Sequence, residues 1–174
     1  MRTLRNGRLD LPESVIAIGA FDGVHKGHQE VIKTAVEKAK SSKAASVVYT
    51  FDPPPRNFFQ GVQILTTIEE KVERIERMGV DYVIVARFNE WFSNRRPNEF
   101  IHELKRLHPN EIMIGADFRF GKNREGNVAL LKKYFPIHVT APVCCKSGEL
   151  ISSTRIRQLL SEGDFQTSYA LLGW

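Results

Sequence analysis

Two histidines three positions apart, His25 and His28, follow a glycine-rich stretch: Gly19-Ala20-Phe21-Asp22-Gly23-Val24-His25-Lys26-Gly27-His28. Glycines permit a tight loop and let a ligand approach the backbone closely. A helix that starts here aims unpaired amide N–H groups, and the positive end of its dipole, into the loop. Both imidazoles can then reach one anion, and Lys26 adds a mobile positive charge. The combination suits a phosphate. Other phosphate and metal patterns do not fit. The dinucleotide string G-x-G-x-x-G is missing, and a zinc-protease helix needs histidines four apart around a glutamate. A lone histidine pair is weak support for zinc, and no metal ligand set is readable. Gly121-Lys122 resembles the end of a P-loop, but Ala116 and Asn123 stand where that motif needs glycine and a hydroxyl residue. The plain alternative is that His25 and His28 only cap a helix.

Adenylyl transfer is one reaction such a loop can serve. The acceptor attacks the α-phosphate of ATP, and pyrophosphate leaves. An acceptor that is itself a phosphate is already ionised, so neither a general base nor a covalent intermediate is needed. Catalysis then reduces to positioning and to stabilising negative charge. Imidazole donors, a lysine, helix amides and Mg²⁺ suit that task.

The loop must be held by a strand before it and a helix after it, and the periodicity supplies both. Residues 15–20 and 46–51 form apolar runs that read as buried strands, with helical spacing over 28–40 between them. Pro53, Pro54 and Pro55 end the second strand. Thr67 and Glu70 form a capping-box pattern before a helix over 67–78, stopped at Gly79. A strand follows at 82–86, then a helix opened by Pro97, a strand at 111–115, a helix over 126–135 and a last strand over 137–145. Lys146 to Glu149 is a turn. Ser153 is expected to cap a final helix that ends at Gly163. Alternating strands and helices predict an α/β fold, a doubly wound Rossmann-like parallel sheet forming one domain over residues 1–174. Ligands bind such sheets beyond the carboxyl ends of the strands, here the loops after residues 20, 51, 86, 115 and 145.

Composition narrows the function classes. The chain has 174 residues, 42% hydrophobic and 26% charged, with a net charge of +5. That charge suits an anionic small substrate as well as nucleic acid, and the basic residues are spread out rather than massed in a tail. Nucleic acid is therefore not expected as a partner. No apolar run nears the roughly 20 residues of a membrane span, and the polar start lacks the apolar stretch of a secretory signal. A cytoplasmic protein is expected. The adjacent Cys144 and Cys145 lack zinc spacing and rarely pair with each other, so they read as small buried side chains.

Four blocks, in order along nearly the whole chain, resemble the adenylyltransferase module of bacterial bifunctional riboflavin kinase/FAD synthetases, within the HxGH nucleotidyltransferase superfamily. They are residues 19–29, Thr50-Phe51-Asp52-Pro53-Pro54-Pro55, Gly115-Ala116-Asp117-Phe118-Arg119-Phe120-Gly121, and Ile151-Ser152-Ser153-Thr154-Arg155-Ile156-Arg157. Leu65-Thr66-Thr67 followed by Glu70-Lys71 also fits. The resemblance implies transfer of the adenylyl group of ATP to FMN, giving FAD and pyrophosphate with Mg²⁺. It implies catalytic roles for His28, His25 and Lys26 at the ATP phosphates. Gly19, Phe21, Asp22, Gly23, Gly27, Gly115, Asp117 and Phe118 would line the ATP side, with Ser153, Thr154 and Arg157 closing over the phosphates. Thr50, Phe51, Pro53, Pro55 and Phe58 would lie toward the flavin.

The chain departs from that pattern in two places. The second block usually reads Pro-His-Pro, and Pro54 replaces its histidine. The sequence ends about where the kinase module would begin, so a separate riboflavin kinase is expected to supply FMN. Competing readings are transfer to another phosphorylated acceptor, or a non-catalytic flavin or nucleotide binder. Arg95 and Arg96 read as solvated, and one of Phe118 and Phe120 as a core aromatic.

Overall fold

The computed structural model of the protein describes residues 1–5 and 9–174. Its elements run β1 (Arg2–Arg5), β2 (Ser14–Ile18), α1 (Lys26–Ser42), β3 (Ala45–Asp52), α2 (Pro55–Gln60), α3 (Ile68–Glu76), β4 (Tyr82–Arg87), α4 (Glu90–Ser93), α5 (Pro97–Lys105), β5 (Pro109–Gly115), β6 (Arg119–Phe120), β7 (Gly126–Asn127), α6 (Val128–Leu131), β8 (Ile137–Thr140), α7 (Ser153–Ser161) and α8 (Phe165–Leu172). β2 and β3 are apolar on both faces, and such strands belong inside a parallel sheet. The sheet has six strands in the order β1-β4-β3-β2-β5-β8. The pairs are parallel. The fold is the expected doubly wound, Rossmann-like α/β sheet.

Side-chain alternation along the strands builds two cores. Val15, Ala17, Val48, Val83 and Val85 face the side packed by α1 and α3. Ile16, Ile18, Tyr49, Ile84 and Ile112 face the side packed by α5 and α6. A third, smaller cluster joins Ile151, Ile156, Leu171 and Leu172 of the α7–α8 region.

The chain runs outward from β2 to β3 and β4, then returns to lay β5 on the other side of β2. The reversal opens a crevice between the carboxyl ends of β2 and β5, where doubly wound folds bind ligands. The loop holding His25 and His28 leaves β2 there.

Several boundaries differ from the sequence reading. The last strand stops at Thr140 instead of 145, because Pro142 has no N–H for the ladder. Cys144 then bridges Leu150 across a small turn. Both cysteines sit on that turn outside the sheet, so Cys144 is exposed and Cys145 half-buried, not packed in a core. The helix expected over 126–135 is only Val128–Leu131, entered through an Asn127 cap. Ser152, not Ser153, caps α7, accepting the Arg155 N–H at 3.2 Å. Arg95 is not solvated: it pairs with Glu103 at 2.7 Å and lies over the Trp91 and Phe92 rings. Phe120 is the core aromatic, with Phe118 half-buried and stacked on it at 5.7 Å. Among the described residues, no helix is long and apolar enough to cross a membrane.

Candidate active site

The loop after β2 is held in place from every side. The Gly19 N–H donates to the Tyr49 carbonyl at 3.1 Å, continuing the β2–β3 ladder past the strand end. Phe21 then takes a left-handed backbone (φ 47) and folds its buried ring back over Gly19. A Cβ at Gly19 would stand 2.9 Å from that ring, so the position has no room for a side chain. Gly23 (φ 83) donates its N–H to Thr66 Oγ1 at 3.0 Å. Val24, also left-handed at φ 41, has its carbonyl held by Gln29 Nε2 at 2.9 Å and by the Trp174 indole N–H at 2.8 Å. Gln29 also reaches the Leu172 carbonyl at 2.7 Å, tying the end of α8 to the loop.

His25 is the N-cap of α1 and accepts the His28 backbone N–H on Nδ1 at 3.4 Å. Accepting there places its own proton on Nε2. The two imidazoles stack with centroids 3.6 Å apart and planes 19° apart, and Phe21 meets the His28 ring edge-on at 5.3 Å. His28 is half-buried, yet its Nδ1 is sealed from solvent and has no hydrogen-bond partner among the described residues.

Burial lowers His25 from 6.5 to about 4, with the nearby Arg157 charge adding to the effect. Burial also holds His28 well below the usual imidazole value, with electrostatic contributions from His25, once protonated, and from Lys71. Both rings are neutral at pH 7. An unfolded chain would protonate His25 near 6.5, whereas the folded chain resists until about 4. Over that interval the unfolded state binds more protons, so stability falls as pH falls. The melting temperature should drop across it, and His25→Gln should flatten the drop. An unaltered slope in the variant would count against a buried neutral imidazole.

The floor of the loop is a buried cation that the sequence reading did not single out. Lys71 of α3 is 1% exposed. Its ammonium donates to the Ala20 carbonyl at 3.0 Å and the Phe51 carbonyl at 3.1 Å, joining the exits of β2 and β3. Burial brings Lys71 down to about 8, opposed by Asp22 and Asp52. Thr50 Oγ1 donates to the same Ala20 carbonyl at 3.0 Å, so the Thr50 hydroxyl is engaged inside the protein.

The start of α7 closes against this loop. Ser153 Oγ donates to the Asp22 carbonyl at 3.0 Å. Asp22, 3% exposed, accepts the Leu65 N–H at 2.9 Å and pairs with the Arg157 guanidinium. Asp22 and Arg157 therefore answer each other, and Arg157 Nε also donates to the Gln63 carbonyl. A Cβ at Gly27 would lie 3.4 Å from the Ile151 carbonyl, which shows how closely the starts of α1 and α7 approach. Two helix N-termini thus converge beside the stacked imidazoles. Such an arrangement favours an anion electrostatically.

The remaining expected residues fall into three places. Lys26 is exposed, and its aliphatic stem covers Gly173. Gly115 ends β5 and Asp117 and Phe118 follow it, across the crevice from the loop, with Gly115 and Asp117 exposed. Phe51 is buried in a ring cluster with Phe88 and Phe92, which Phe58 extends to the surface through Phe88. Pro53 and Pro55 flank Pro54 at the start of α2, with Pro54 buried. Among the described residues, no group of three or more His, Cys, Asp or Glu side chains is placed to hold a metal ion.

The FAD synthetase family model matches residues 8–155. The chain belongs to the FAD synthetase family. A Listeria monocytogenes relative named bifunctional riboflavin kinase/FMN adenylyltransferase is 38% identical, matching 92% of this chain and 54% of its own length. A Geobacillus thermodenitrificans relative, named for the same bifunctional enzyme, is 52% identical over 97% of this chain and 94% of that protein. The chain thus spans about half the length of the Listeria relative. A solved structure described as a macrolide-efflux protein from Streptococcus pneumoniae superposes with a TM-score of 0.84 at 28% identity, covering 99% of this chain and 62% of that one. Pantothenate synthetase from Thermus thermophilus shares the fold, with a TM-score of 0.55 at 17% identity over 94% of this chain and 77% of its own. This FAD synthetase family member carries the doubly wound parallel sheet with its paired histidines at the switch point.

Proposed function

We propose that the chain transfers the adenylyl group of ATP to FMN, forming FAD and pyrophosphate. The observation that carries this reading is the neutral, stacked His25–His28 pair at the convergence of the α1 and α7 N-termini. Neutral imidazoles donate hydrogen bonds to phosphate oxygens without a proton changing hands. A phosphate oxygen of FMN attacks the α-phosphorus of ATP, and the bond from that phosphorus to the bridging oxygen of pyrophosphate breaks. No protein base takes part. His25, His28, the α1 and α7 amides and the hydroxyls of Ser153 and Thr154 stabilise the charge on the transferring and leaving oxygens. Mg²⁺ enters with the ATP phosphates. The crevice edge at Gly115, Asp117 and Phe118 takes the adenosine side. The exposed rings of Phe58 and Phe59, 40% and 64% exposed, offer faces for the flavin.

Purified protein with ATP, Mg²⁺ and FMN should yield FAD, detected by chromatography, together with pyrophosphate. A panel of other phosphorylated acceptors gives the contrast. Pyrophosphate released with another acceptor and not with FMN would overturn the choice of acceptor. Tight FMN binding without turnover would favour a non-catalytic binder, a reading motivated by Pro54, which offers no donor.

A further inference from the structure

Beyond the Gly19–Tyr49 backbone bond, β2 and β3 leave the sheet by different routes. β2 continues through Ala20 into the loop of His25 and His28, and β3 continues through Phe51 into Pro53, Pro54 and Pro55. The Lys71 ammonium, from the middle of α3, spans both exits, at 3.0 Å from the Ala20 carbonyl and 3.1 Å from the Phe51 carbonyl. The chemistry proposed above gives Lys71 no role, yet its placement is costly. It is 1% exposed, and among the described residues no carboxylate forms an ion pair with it, since the buried Asp22 is taken by Arg157. Burying a charge without a counter-charge is strongly unfavourable. Ile68, Val72 and Ile75 around it are apolar, so packing alone would be served by another apolar side chain. What the ammonium adds is a set of diverging N–H donors on a long arm. α3 is also a firm anchor. Its start is fixed by the Thr67–Glu70 capping box, Thr66 Oγ1 accepts the Gly23 N–H at 3.0 Å, and Arg74, one turn after Lys71, donates to the Gly23 carbonyl at 2.9 Å.

We infer that Lys71 is a positioning residue for adenylyl transfer: its two hydrogen bonds hold the phosphate loop and the segment after β3 at one separation, and so align donor with acceptor. The inference rests on the adenylyl-transfer reading above. Lys71 acts through the two backbone carbonyls and not by contact with substrate. Attack of one phosphate on another needs the two at a set distance and angle, and a misplacement of about 1 Å costs on the order of a hundredfold in rate.

Lys71→Met in the full chain removes the donors and suits the apolar stripe. Its kcat for FAD formation should fall about ten- to a hundredfold. Calorimetric binding of a non-hydrolysable ATP analogue and of FMN, each titrated alone, should stay at wild-type strength, because each half of the site survives and only their relation is lost. Lys71→Gln keeps two N–H donors on a slightly shorter arm and should retain more of kcat. Hydrogen exchange without substrate needs no activity: the segments 20–24 and 51–58 should both exchange faster in the methionine variant. Should that variant fail to fold, the glutamine variant carries the same measurements. Unchanged kcat overturns the inference. So does a loss of kcat matched by weaker binding of the ATP analogue, which would make the lysine charge a nucleotide contact. Equal losses in the two variants would overturn it too, by making the charge and not the hydrogen bonds the working property. Unchanged exchange in both segments overturns the clamp even if the protein makes FAD. Faster exchange in both, with no FAD made by wild type, leaves the clamp standing and overturns the choice of reaction instead.

Discussion

His28→Ala is expected to lose about 10²-fold or more in FAD formation, the scale for removing one transition-state donor. The ring is fixed between His25 at 3.6 Å and Phe21 at 5.3 Å, so it needs no reorganisation when charge develops. Its Nδ1 faces no acceptor, which leaves Nε2–H as the donor it can offer. Burial keeps it uncharged, so it stays a hydrogen-bond donor across the neutral range and does not exchange protons with substrate. The histidine lies at the loop edge and half-buried, so the alanine variant should keep its circular dichroism spectrum and melt within a few degrees of wild type. Steady-state assays at saturating ATP and FMN provide the measurement. Undiminished kcat in a folded variant would remove His28 from the chemistry.

Asp22→Ala should act on a different quantity. The carboxylate is 3% exposed, pairs with Arg157 and accepts the Leu65 N–H. Deleting it strands a largely buried guanidinium and an amide donor, and breaking a buried pair on one side costs about 3–5 kcal/mol. For a chain of this size that corresponds to roughly 6–20 °C in melting temperature. Asp22 thus serves the site by anchoring α7 to the loop, and the loss should show in thermal or urea unfolding without substrate. A variant as stable as wild type but with a raised ATP requirement would instead make Asp22 a direct ligand.

What the sequence revealed followed the strength of each local signal. β2, β3 and β4 were readable because continuous apolar runs stand out, and the Thr67–Glu70 capping box formed as expected. β1 was missed because Arg2-Thr3-Leu4-Arg5 is an exposed edge strand, and edges are blunted with charge. α2 was hidden by its prolines, though Pro55 at a first helical position was an available start signal. α8 buries Leu171 and Leu172 but exposes Phe165 and Tyr169, so its apolar residues form no single stripe. In the site, the paired histidines were legible from type and spacing. The engagement of Thr50, Asp22 and Arg157 with protein partners was not, because those partners lie 30 to 135 residues away in the chain. Lys71 had a signal that went unused: with Ile68, Val72 and Ile75 it falls on the apolar stripe of α3, an odd place for a solvated lysine.

The indole of Trp174 and the carboxamide of Gln29 share the Val24 carbonyl, directly behind the imidazole pair. Strain applied at Trp174 is therefore passed to the loop that carries His25 and His28. A purification handle or fused domain placed directly after Trp174 would perturb the proposed site. The same handle placed before β1 would sit at the far sheet edge, separated from β2 by β4 and β3.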